Sequence, residues 1–211
     1  MQLRPYPVQY SVDYPDRRLD RGTTFFRILV AIPILIIVGT VDGMAGSYST
    51  AAGSVTTVAF GTGGALVFGP ALMILFRAKY PRWWFDWNLE LQRFVSRVGV
   101  FLCLMDDNYP STDAHQAVHL DYVYPDAGRD LKRWMPLVKW FLAIPHYVIL
   151  FFLGIGALIA VVIAWFAILF TGRYPRGLFT YVEGVQRWGS RVFAYAALMV
   201  TDEYPPFRLE V

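Results

Sequence analysis

Two segments ninety-four positions apart carry nearly the same text: FRAKYPRWWF over 76–85 and FTGRYPRGLF over 170–179. They belong to a longer duplication. The first copy runs VDYPD, FFRILVAIP, FRAKYPR, QRFVSR, LMDDNYP, and the second runs YVYPD, LVKWFLAIP, FTGRYPR, QRWGSR, LMVTDEYP. Blocks in the same order divide the chain into repeats over 1–110 and 111–211. Such a repeat constrains the fold before any element is assigned, because both copies must build the same local structure. Arg27 then matches Lys139, Pro33 matches Pro145, and Gln92-Arg93 with Ser96-Arg97 matches Gln186-Arg187 with Ser190-Arg191.

What each copy must build is set by its apolar runs. With 56% hydrophobic and 17% charged residues, the chain reads as a membrane protein. The stretch 137–170 holds one charge, Lys139. As one straight helix it would be about 50 Å long, against a hydrocarbon core of about 30 Å. The sequence therefore predicts a break at Gly154-Ile155-Gly156 and a helical hairpin with crossings over 134–153 and 157–170. Copy one repeats the hairpin over 24–41 and 55–76, joined by the longer DGMAGSYSTAAGS. None of the nineteen Lys and Arg residues falls in a hairpin tip. The positive-inside rule then places the start and the exit of each hairpin, and both termini, on the cytoplasmic side of a multi-pass protein of the inner (plasma) membrane. On this reading KYPR and RYPR mark the exits, and Arg27 and Lys139 snorkel to the basic face. The first apolar run begins only at Phe25, after a polar stretch holding Asp13, Asp16 and Asp20, and no small-residue cleavage site ends it cleanly, so no cleaved signal peptide is expected.

Beyond each exit, charges recur at helical spacing: Asp86, Glu90, Arg93 and Arg97 in 83–105, and Glu183, Arg187 and Arg191 in 178–200. Such stripes suit amphipathic helices lying in the interface. A third crossing per copy is the alternative, and it would orient the copies oppositely. Three alternating segments argue against it: 8–14, 118–124 and 207–211 each show the period of a strand. They can join in one small cytoplasmic sheet only if all lie on one side. The expected class is an α-helical integral membrane protein, a tandem repeat of hairpin plus interfacial helix with short β-strands.

The blocks AIP, RYPRGLF, QRW and DEYPPFRLEV resemble an uncharacterised bacterial membrane-protein family known as domain of unknown function 4389, here in two tandem copies. Copy one departs from the pattern, with KYPRWWF in the second block and a longer hairpin. The resemblance implies an integral membrane domain and no particular activity.

Candidate chemistry is sparse. Lys79, Arg82, Arg93 and Arg97, with Arg173, Arg176, Arg187 and Arg191, form two matching basic clusters. Such clusters suit anionic lipid headgroups, but topology anchoring with ion pairs to Glu90 and Glu183 is the favoured reading, because basic flanks are common to membrane proteins. Asp113, His115 and His119 offer no convincing metal set, and neither a metal nor a cofactor is expected. His146 follows Pro145 inside an apolar run, but copy one has Ile34 there, which favours packing over proton relay. Ser96 and Ser190 have no general base nearby in sequence, and no nucleotide or hydrolase fingerprint occurs. The glycines of 61–64 suit close helix packing, and the aromatics suit interface belts rather than nucleic acid. The expected function is non-enzymatic: a structural or accessory subunit of a membrane complex or homo-oligomer, in contact with membrane lipids, for which anionic headgroups are the candidates. An oligomeric channel or transporter and an anionic-lipid-binding protein are the alternatives.

Overall fold

The computed structural model describes residues 6–42, 49–50, 53–54, 69–112 and 114–210. Most of the expected crossing over 55–76, the glycines of 61–64, Asp113 and Val211 lie outside them. The described elements are β1 (Val8–Val12), α1 (Arg21–Phe25), α2 (Arg27–Asp42), β2 (Ser49–Thr50), β3 (Gly53–Ser54), a π-helical turn (Met73–Arg77), α3 (Arg82–Leu102), β4 (Val118–Tyr122), α4 (Met135–Leu142), α5 (Ile144–Thr171) and α6 (Arg176–Ala196). Among the described residues the fold is mostly helical, with two small antiparallel strand pairs, β1 with β4 and β2 with β3.

The alternation that marks β1 and β4 in the sequence is the alternation of their burial. Val8, Tyr10, Val12, Val118, Leu120 and Tyr122 point into the core, and Gln9, Ser11, His119 and Asp121 point out. The strands pair around the central Tyr10–Leu120 couple, one strand from each repeat. Helix α3 of the first copy packs on β4 of the second, and α6 of the second packs on β1 of the first. Each copy's amphipathic helix thus covers the other copy's strand.

The outer helices instead pack on the amphipathic helix of their own copy. Helix α2 packs on α3 through Ala31, Ile34, Phe94, Val98 and Phe101. The α4–α5 junction packs on α6 through Ala143, Trp188, Val192 and Tyr195. In sequence, α2 aligns with the end of α4 and the start of α5, the π-helical turn aligns with the end of α5, and the extra residues of copy one fall between them. Both helical segments end in a left-handed residue at matched positions, Ala78 (φ 49°) and Gly172 (φ 74°).

Two expectations need correction. The hairpin of the second copy, 134–153 and 157–170, is instead a short helix, a one-residue break at Ala143, and one unbroken 28-residue helix through Gly154 and Gly156. Those glycines do not make a turn. Gly156 gives room to Tyr181, whose hydroxyl donates to the Leu153 carbonyl at 3.0 Å. Glycine costs a helix only about 1 kcal/mol against alanine, which close packing of α5 on α6 can offset. Pro145 sits in the first turn of α5, where its missing N–H has no helical partner to lose.

The second correction is the strand over 207–211: residues 207–210 are irregular, and among the described residues the sheet has two strands. The reason lies in the strand edges. Asp13 N–H bonds to Ala117 and Val123 N–H to Pro7, which puts Tyr10 and Leu120 at a non-hydrogen-bonded position with their carbonyls facing outward. Arg187 Nε donates to the Tyr10 carbonyl at 2.7 Å, Arg93 Nε to the Leu120 carbonyl at 2.9 Å, and Val12 N–H to Glu183 at 3.3 Å. Side chains of α3 and α6 occupy the edge groups that a third strand would need.

Candidate functional site

The eight basic residues singled out in the sequence divide into two populations. Arg97, Arg187 and Arg191 are buried. Arg97 donates to the Ser111 carbonyl at 2.8 Å. Arg187 also donates to the Leu209 carbonyl at 2.8 Å and pairs with Glu183, one helical turn back. Arg191 donates to the carbonyls of Arg208 and Glu210 at 3.3 and 3.0 Å. Burial lowers its pKa, as do the neighbouring Arg187 and Arg208 charges. Arg93, partly buried, also pairs with Glu90 at 2.5 Å and with Asp121. These four arginines are a frame that holds the strands, the segment at Ser111 and the C-terminal tail by their carbonyls.

Lys79, Arg82, Arg173 and Arg176 are exposed. Arg176 lies 4.7 Å from the centre of the Tyr14 ring, whose hydroxyl donates to the Tyr174 carbonyl at 2.5 Å. Arg82 lies 4.7 Å from the Tyr124 ring, whose hydroxyl donates to the Tyr80 carbonyl at 2.6 Å. In each case the Tyr-Pro-Asp of one copy meets the Tyr-Pro-Arg of the other. The YPR text common to both copies is therefore half of a clasp between them. An open cleft of about 680 Å³ beside the second clasp is lined by Lys79 and Arg82 together with Asp126 and Asp130. Its mixed charge weakens it as an anion site.

The buried cations Arg27 and Lys139 were missed by the expectation of snorkelling. Arg27 Nη1 donates to the Asp106 carbonyl at 3.0 Å, with its guanidinium 4.1 Å from the Phe101 ring centre. Lys139 Nζ donates to the Thr201 carbonyl at 2.7 Å, lies 2.7 Å from Asp202 and sits 5.1 Å from the Tyr195 ring centre. The two match in the repeat, as do their aromatic partners. That duplication, a cation near each helix start opposite DDNYP or TDEYP, is the sequence signal that could have located them. Next to Arg27, burial pushes the Asp107 carboxyl up, but the Arg17 guanidinium and the Asp20 N–H outweigh it and hold it below the usual carboxylate range.

His146 is fully buried and stacked on Phe207 at 4.1 Å. Trp188 Nε1–H donates to its Nδ1 at 3.0 Å. An indole nitrogen can only donate, so a neutral ring here carries its proton on Nε2. His119 pairs with Asp13 across the strands at 2.9 Å, both outside the core. Among the described residues, no group of three or more His, Cys, Asp or Glu is placed to hold a metal.

Among the described residues an extensive apolar surface is left uncovered. Among the described residues, α5 is the one helix long and apolar enough to cross a membrane; α2 is apolar but shorter. Only a narrow stripe of α5 is buried, including Ala160, Ala164 and Ile168. Phe151, Phe152, Leu158, Ile163 and Phe170 are exposed. Ile28 and Leu29 of α2, Phe141 of α4, and Trp83 and Trp134 are exposed as well.

No curated protein and no solved structure matches the chain. Residues 133–208, within the second copy alone, match the family described as "Domain of unknown function (DUF4389)", and that stretch is what the chain shares with it.

Proposed function

We propose that the chain is a non-enzymatic membrane protein that serves as a structural or accessory subunit of a membrane assembly, with both termini on the cytoplasmic side of the plasma (inner) membrane. The observation that carries this reading is the contrast between the bare apolar surface of α2, α4 and α5 and the polar outer side of the β1–β4 pair. An apolar surface of this extent in water is an aggregation liability, whereas hydrocarbon removes the cost. The fate of the buried charges supports a structural role. Arg27, Arg97, Lys139, Arg187 and Arg191 are each committed to backbone carbonyls that fix one element on another.

The test is extraction followed by gentle purification from the native membrane. The protein should resist alkaline carbonate, dissolve in mild detergent, and emerge with itself or another protein in fixed ratio. A strict monomer carrying nothing would refute the subunit role, and solute flux in liposomes would favour the channel alternative. Lipid binding has its own support, because Lys79, Arg82, Arg173 and Arg176 keep exposed heads. It predicts that replacing these four reduces binding to anionic vesicles more than replacing the four frame arginines in a variant that stays folded.

A further inference from the structure

We infer that α5 lies in the plane of the membrane, sunk into a single leaflet, and does not cross. The inference rests on the membrane reading above and concerns how that surface meets lipid.

The orientation of α5 follows from a chain of contacts. Along α6, Glu183 reaches Val12, Arg187 reaches Tyr10, and Arg191 faces the Tyr6 ring, so α6 runs antiparallel to β1 and lies along it. Helix α5 runs antiparallel to α6 in turn: His146 meets Trp188, and Leu153 meets Tyr181. Helix α5 therefore lies roughly parallel to the strand pair. Both of its ends are docked on the same body. At the start, Ala143 packs on Trp188 and Tyr195. At the finish, Gly172 accepts from Leu19 N–H at 2.9 Å, Arg21 donates to the Phe170 carbonyl at 3.1 Å, and Trp165 donates to the Thr24 carbonyl at 3.1 Å.

Standing α5 across the bilayer would stand the strand pair on end beside it. The outward residues Gln9, Ser11, Asp13, His119 and Asp121 would then enter the membrane with it, and exposed polar and charged groups there are strongly disfavoured. Laid flat, α5 has a diameter of about 10–12 Å, which fits one leaflet of about 15 Å, half the hydrocarbon thickness. The polar strand face then remains in water. The occupant of the bare face is thus the acyl-chain layer of one leaflet.

Oriented vesicles carrying the full chain with Cys103→Ser test this. Single cysteines replace Arg133 and Arg173, which flank the α4–α5 unit, and spin-labelled cysteines replace Tyr147, Leu158 and Phe170 along α5. An impermeant thiol reagent should label both flanking sites from the same side to equal extent, and the three spin labels should report similar depths in one leaflet. Labelling from opposite sides, or depths that pass through the bilayer centre between Tyr147 and Phe170, overturns the inference while leaving the membrane reading intact. Failure of the protein to float with vesicles overturns the membrane reading itself. A bare face buried by a second copy would appear as spin–spin broadening with no lipid exposure, and that too overturns the inference.

Discussion

The arginine frame makes a quantitative prediction that separates a structural role from lipid binding. Arg187 and Arg93 occupy the same place in the two copies and cap the two central strand carbonyls, but their surroundings differ. The Arg187 side chain is 8% exposed and its partner Glu183 13%, whereas Arg93 is 29% exposed and its partners Glu90 and Asp121 are 58% and 70%. Arg187→Ala strands Glu183 and the carbonyls of Tyr10 and Leu209. Breaking a buried charge pair costs about 3–5 kcal/mol, and each unsatisfied carbonyl about 1–3 kcal/mol where water cannot reach it. Partial hydration of the vacated space brings the expected loss to about 4 kcal/mol. Arg93→Ala exchanges exposed pairs and one carbonyl contact for water, which costs about 1 kcal/mol. For a chain of this size, 1 kcal/mol corresponds to about 2–4 °C in Tm. Thermal unfolding in mild detergent should therefore show Arg187→Ala about 8–16 °C below the parent, and Arg93→Ala about 2–4 °C below. Arg187→Lys should fall between, because an ammonium keeps the charge but lacks the fork that spans two carbonyls. Equal shifts for the two alanine variants would refute this reasoning. So would a thermally silent Arg187→Ala that loses copurifying anionic lipid.

Three further outcomes follow from local geometry. Ala78 holds a left-handed conformation that glycine adopts without strain, so Ala78→Gly should raise stability by about 1 kcal/mol and Gly172→Ala should lower it by about as much, both read as Tm shifts. Gly156→Leu should drive α5 off Tyr181 at about 1–3 kcal/mol, while Gly154→Leu, with open space around it, should be tolerated; equal tolerance would restore the hairpin-tip reading. Because the folded-state pKa of Asp107 is depressed, its ionised form contributes stability that is complete above the unfolded carboxylate pKa of about 4 and fades as pH falls through the lower folded value. The acid side of a Tm-against-pH curve should flatten in Asp107→Asn, and an unchanged acid limb would show that Asp107 does not contribute.

What the sequence determined by itself was local and periodic. Alternation placed β1 and β4, because a strand with one buried face must alternate. Spacing of three and four placed the amphipathic α3 and α6, and the repeat announced that each feature would occur twice. The partner of each feature was decided only in three dimensions. Nothing in the spelling of Arg93 or Arg187 says that its target is a strand carbonyl of the opposite copy rather than a phosphate outside, since both present oxygen acceptors to a guanidinium. Nor does the text of 137–170 say whether thirty-odd apolar residues cross a membrane, fold back on themselves or lie flat. Hydropathy records how well a segment tolerates hydrocarbon and carries no direction, and the direction of α5 comes from its lengthwise docking on α6, which is itself held along β1 by Glu183 and Arg187.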